Sequence, residues 1–245
     1  MLLAALFASP SLCAWPSLEL EPVQDNTLYE TPIDSGATQY ELSNGAGDFL
    51  FAGRGGMDAG FRLRRAVLKF DLSGLPAGAE ILAARLTLHQ SRAAPGSPPA
   101  SMGLYRVSQD WGEGESEGIG AEGQGNFATA GDATWHHRFY PDIAWDTPGG
   151  SFAETASATT TVGQELTAYT WGCTSALVTD LALWQSAPAQ NFGWIVVGGE
   201  AAAYSAHRFD SRENEAVETR PRLTIVYRPA ETVHSDGFET PPDCG

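Results

Sequence analysis

Basic residues are scarce in this chain: 14 Lys and Arg stand against 30 Asp and Glu, a formal charge of −16 over 245 residues. Nucleic-acid affinity rests mainly on neutralising phosphate, so DNA and RNA are excluded as partners, and an anionic membrane surface is disfavoured for the same reason. No apolar run is long enough to span a bilayer. The three cysteines make no Cys-x-x-Cys, and no His-x-x-x-His accompanies them. A Gly-x-Ser-x-Gly elbow, a P-loop, a dinucleotide fingerprint and an EF-hand loop are all missing, so no catalytic set is expected.

What is present points to β-structure. Apolar residues make up 42%, and seven Trp with 27 Gly suit many short strands joined by turns. This length fits one large sandwich. The acidic surface has two readings, solubility of an exported protein or Ca²⁺ held by clustered carboxylates.

Met1 to Ala14 is a short apolar run ending in small residues, as in the back half of a secretory signal; the basic n-region is absent, as in a truncated signal. Export to the medium or cell envelope is the expected localisation. Loss of Cys13 with the signal would leave Cys173 and Cys244, which permit one disulfide or stand as two separate thiols.

Period-two alternation marks the strands. Ala66, Leu68 and Phe70 share one face; Leu82, Ala84, Leu86 and Leu88 share another; Leu223, Ile225 and Tyr227 a third. The run from Gly193 to Gly198 is continuously apolar, as expected of a strand buried on both faces. Leu104 to Val107 is a shorter candidate. Leu177, Leu181 and Trp184 fall at i, i+4 and i+7, which predicts one short helix. Residues 112–131, rich in Gly and Glu, read as a mobile surface loop, and residues 229–245 as a flexible polar tail. Strands without long intervening helices imply an all-β, jelly-roll-like antiparallel sandwich with one short helix and long loops.

The stretch from Arg64 to His89 (RRAVLKFDLSGLPAGAEILAARLTLH) resembles the DNRLRE, or disaggregatase-related, family. Further pieces follow the family's order: Asp25-Asn26, Asn44-Gly45, Trp111-x-Glu113, Ser211-x-Glu213 and Arg220-Pro221-x-Leu223. The match covers residues 19–228. It implies a sandwich like those of carbohydrate-binding modules on secreted and cell-surface proteins, some of which take acidic polysaccharides. This chain departs from the pattern in carrying no catalytic partner domain.

Trp145, beside Asp146 and a Pro-Gly-Gly turn, is the tryptophan best placed to be exposed and stack on a sugar, with Trp171 second. Trp111, Trp135, Trp184 and Trp194 read as core. His136, Arg138 and Tyr140 would supply polar contacts, or form an ordinary polar loop. Asp25, Asn26, Asn44 and Asp48 offer oxygen ligands to Ca²⁺, or simply form turns. Asp110, Glu113, Glu115 and Glu117 read as a solvated run, and Glu213 with Arg220 as a structural ion pair, or either with Arg64 or Arg65. The leading expectation is a secreted, non-catalytic module binding a polysaccharide or cell-surface glycan. Beside it stand a structural or adhesive envelope protein without a sugar site and, less favoured, a polysaccharide-degrading enzyme.

Overall fold

The computed structural model describes residues 15–31 and 40–230. The signal reading, Cys13, Cys244 and the tail beyond Ala230 lie outside them. In chain order the strands are β1 (Ser17–Leu20), β2 (Pro22–Tyr29), β3 (Leu42–Ser43), β4 (Phe49–Arg54), β5 (Leu63–Phe70), β6 (Glu80–Ala93), β7 (Ala100–Arg106) and β8 (Asn126–Phe127). Then come β9 (His137–Phe139), β10 (Ile143–Ala144), β11 (Ala158–Val162), β12 (Ala168–Gly172), helix α1 (Ser175–Ser186), β13 (Trp194–Val197), β14 (His207–Asp210) and β15 (Arg222–Arg228). No helix among the described residues is long and apolar enough to cross a membrane.

Every pairing is antiparallel, and the main sheet curls over on itself. One layer runs β1–β15–β6–β12, the other β2–β5–β13–β7–β11. The fourteen-residue β6 and the short β14 and β4 join them: β14 pairs with the far end of β6 and with β4, and β4 reaches the start of β5. The fold is the expected all-β sandwich.

Between the layers, Ala66, Leu68 and Phe70 of β5 meet Leu86 and Leu88 of β6 and Leu223 and Ile225 of β15, all buried. This is the facing that the alternation predicts. Leu82 is the exception: it is only half-buried and Ile81 takes the core position instead. A bulge between Val226 and Tyr227 shifts the register opposite it, which moves the pattern by one residue. On α1, Leu177, Leu181 and Trp184 are buried together, and Thr174 caps the first turn by accepting from the Leu177 N–H at 3.2 Å.

A second apolar cluster lies on the other face of β5 and β13: Val67 and Ile195 with Leu28, Trp111, Trp135 and Trp145. Strand β13 is thus buried on both faces, as its continuous apolar run predicts. The covering layer is the 107–153 segment, and here the expectation of a mobile loop fails. Ser116, Glu122 and Asp132 are buried. Carboxylates take the place of regular structure. Asp132 accepts from the Glu115 and Thr129 N–H groups at 3.0 and 2.6 Å and from the Ser116 hydroxyl. Glu122 accepts from Asn44 Nδ2 and the Asp48 and Phe49 N–H groups at 2.8, 3.2 and 3.1 Å. The glycines permit close approach: Gly114 has φ +76°, and a Cβ there would overlap the Asp132 carboxylate.

At the curl, His207 on β14 is fully buried, its Nδ1 2.6 Å from Gln90 Oε1 and its Nε2 without a partner among the described residues. Burial lowers its pKa below the ordinary histidine value. A depressed folded pKa means that the unfolded chain takes up the proton first, so stability is lost as pH falls through the ordinary histidine range towards the folded value. Denaturant titrations at neutral and mildly acidic pH should show this loss, and His207→Gln should flatten it. An unchanged acid limb in the variant would place the sensitivity elsewhere.

Candidate functional site

The sugar platforms expected from sequence are not surfaces. Trp145 is 4% exposed and Trp171 0%. Trp145 belongs to the second cluster, with its indole N–H donating to the Thr134 carbonyl at 3.0 Å. Trp171 lies in the main core and donates to the Met102 carbonyl at 2.9 Å. The Pro-Gly-Gly turn that suggested exposure folds back on the tryptophans instead, with the Gly149 N–H donating to the Trp135 carbonyl at 2.6 Å. Trp111, Trp135, Trp184 and Trp194 are buried, as expected.

His136, Arg138 and Tyr140 sit half-buried around β9. Each already has a partner: His136 Nε2 lies 3.0 Å from the Thr31 carbonyl, Arg138 donates to the Asp110 carbonyl at 3.1 Å, and Tyr140 packs edge-on against His137. Asn26 and Asn44 are buried links rather than ligands. The Asn26 oxygen accepts from the Thr27 and Asn44 N–H groups at 2.6 and 3.0 Å, and the Asn44 oxygen from the Gly118 N–H at 2.6 Å. Asp48 contributes main-chain bonds to Glu122, Ser211 and Asn214. Of the four Ca²⁺ candidates, only Asp25 stands in a carboxylate cluster, with Glu113 and Glu213.

In the 110–117 run, Glu115 and Glu117 are exposed, as expected of a solvated loop, whereas Asp110 pairs with Lys69 at 3.3 Å and Glu113 turns inward. Glu213 pairs with Arg212 at 2.8 Å, while Arg220 turns to Glu21 at 3.6 Å and the Asn214 carbonyl at 2.8 Å. Arg65 binds Glu200 through two bonds, at 2.7 and 2.9 Å. Cys173 is disulfide-bonded; Cys244, its candidate partner from sequence, lies outside the described residues.

A cleft of about 550 Å³ opens where the sheet curls, between the Met57–Ala59 turn, the ends of β6 and β14, and residues 121–124 of the cover. Arg64, Arg92 and Arg208 line it against one carboxylate, Asp58. Among the described residues none of the three forms an ion pair with a carboxylate. Arg64 donates to the Gly123 carbonyl and stands 5.6 Å over the Tyr29 ring. Arg208 donates to the Ser91 hydroxyl at 3.1 Å, its guanidinium 3.6 Å above the Phe49 ring. Burial lowers the pKa of both; at Arg208 the nearby Asp210 and Glu122 carboxylates oppose the effect and the like charge of Arg92 adds to it. A guanidinium keeps its charge through such shifts.

Tyr204 lies in the same cleft, 46% exposed and edge-on to Phe61 at 6.2 Å. A Cβ at Gly56 would overlap its ring, so the glycine is what lets the ring lie so close to the backbone. A smaller cavity of about 180 Å³ shares Asp58, Ala59, Arg64 and Gln124 with the cleft and extends it to Tyr40, 49% exposed. A larger hollow of about 940 Å³ beside α1 has its lining Phe70 and Trp184 buried and its lysine already paired to Asp110.

None of Arg64, Arg92, Tyr204 and Arg208 stands out in sequence as a site, because no periodicity or spacing joins positions so far apart. The available signal is compositional: 13 of the 14 basic residues are arginine, Lys69 being the sole lysine. No protein-family model matches the chain, and no curated protein is significantly similar to it.

Proposed function

We propose that this protein is a non-catalytic carbohydrate-binding module whose binding surface is the arginine- and tyrosine-lined cleft, and that it takes an anionic glycan. One observation carries the reading: on a chain of net charge −16, the exposed Arg92 and half-buried Arg208, with the buried Arg64 behind them and none of the three in an ion pair among the described residues, converge beside an exposed, backbone-supported tyrosine. Guanidinium groups bind carboxylates such as those of uronic acids through paired, charge-assisted bonds, and a phenol ring stacks on the C–H face of a sugar. The continuation towards Tyr40 suits a chain of several sugar units rather than a single one. The resemblance to the DNRLRE family, proposed on the residues quoted above, points the same way. The carboxylates that converge elsewhere include Asp25, which is fully buried and closed to a sugar ring.

Affinity electrophoresis against acidic and neutral polysaccharides tests the reading. Retardation by an acidic glycan is expected, with Tyr204→Ala and Arg92→Ala each weakening it at least about tenfold, as loss of about 1.4 kcal/mol does. Equal retardation by neutral glycans would remove the anionic specificity. No retardation of the folded protein by any glycan would favour the structural or adhesive envelope reading, which the burial of every tryptophan from Trp111 to Trp194 supports.

A further inference from the structure

Asp25 on β2, Glu113 at the start of the cover and Glu213 after β14 each bring a carboxylate oxygen within 4.8 Å of the other two. Arg212 threads between them. Its backbone N–H donates to Asp25 Oδ2 at 2.8 Å. Its guanidinium donates to both oxygens of Glu113, at 2.7 and 3.1 Å, and forms an ion pair with Glu213, Nε to Oε1 2.8 Å. The Asp25 N–H adds a bond to Glu113 Oε1 at 2.8 Å. Two oxygens remain. Among the described residues no N–H or hydroxyl donates to Asp25 Oδ1 or Glu213 Oε2, both of them buried, and Asp25 as a whole is 0% exposed.

Three carboxylates against one guanidinium leave two negative charges at a largely buried point. Burial of that kind is costly unless the charge is balanced and the oxygens are engaged.

We propose that Asp25, Glu113 and Glu213 bind a divalent cation of the Ca²⁺ type, which clamps β2, the cover and the turn after β14 together. Ligand oxygens at about 2.3–2.6 Å from one Ca²⁺ lie no more than about 5 Å apart, and these three meet that condition. Two positive charges balance the two left by Arg212, and the ion engages the two oxygens to which no N–H or hydroxyl of the described residues donates. The all-oxygen donor set suits a hard cation rather than Zn²⁺, which favours nitrogen and sulfur. Glu113 and Glu213 have side chains 16% and 22% exposed, so water can reach the ion and complete its shell.

The site is separate from the glycan cleft, and it is tested on the protein alone. The mature protein, freed of metal with EDTA and dialysed, is titrated with CaCl₂ and with MgCl₂ by calorimetry and melted in each. Saturable binding of one Ca²⁺ per chain is expected, with the melting temperature rising by about 5–10 °C at saturation. Asp25→Asn should lose both while keeping the circular dichroism of the folded chain. Should that variant fail to fold, Glu213→Gln should weaken Ca²⁺ binding at least about tenfold, the loss of one charged ligand. No heat of binding with identical melts in EDTA and Ca²⁺ would overturn the proposal. So would variants that bind Ca²⁺ as the native chain does. It would equally be overturned if Asp25→Asn stabilised a chain indifferent to Ca²⁺, which would mean that Asp25 and Glu213 share a proton instead.

Discussion

Phe70→Ala is expected to lower the unfolding free energy by about 3–5 kcal/mol, read from denaturant curves of native and variant protein. Phe70 is 0% exposed, stands at the end of β5 with its ring 6.1 Å from that of Trp194, and faces the layer formed by β6 and β15. Trp194 in turn rests 4.4 Å from Trp184 of α1, so the ring links the two layers and the helix. Truncation leaves a cavity among large, rigid neighbours that cannot collapse into it, which places the cost towards the upper end. A shift under about 1 kcal/mol would mean that the site relaxes or that Phe70 is not interleaved as described.

The second large effect is expected at Asp180, the buried acid of α1. Its Oδ2 accepts from the Trp194 indole N–H at 2.9 Å and the Ser157 hydroxyl at 2.5 Å, and its Oδ1 lies 3.0 Å from Arg106. Asp180→Ala strands a buried indole N–H and removes the partner of a guanidinium, at a cost of about 2–4 kcal/mol. The Arg106 side chain is 34% exposed and can turn to water, which keeps the effect below that of a fully buried pair. Asp180→Asn retains an acceptor for Trp194 and should recover about half of the loss. If asparagine proves as harmful as alanine, the charge facing Arg106 outweighs the hydrogen bonds.

Strands with a periodic apolar pattern were legible in sequence. The facing of β5, the double burial of β13 and the buried side of α1 follow from spacing alone, because side-chain direction is a local property of the backbone. The cover was not legible. Its polar and glycine-rich 112–131 stretch has no period, and its order comes from buried carboxylates that bond to backbone N–H groups chosen by tertiary structure. Trp145 misled for the same reason: a Pro-Gly-Gly turn signals a change of direction, not which way the neighbouring indole points. The carboxylate cluster lay in three of the motif pieces, yet Asp25 and Glu113 are 88 positions apart, and nothing local says that they meet. The arginine cleft is assembled from segments far apart in the chain and is likewise invisible until the sheet curls.

The pairing of β1 with β15 joins the two ends of the described fold, Leu18 opposite Ile225. Synthesis runs from the N-terminus, so β1 has no partner until residues near 228 have left the ribosome. The sheet therefore cannot close before β15 has been made, and a chain interrupted ahead of it is left with a bare strand edge of the kind that recruits other chains. Closure of the sandwich thus depends on the last strand of the described fold, not on the first one made.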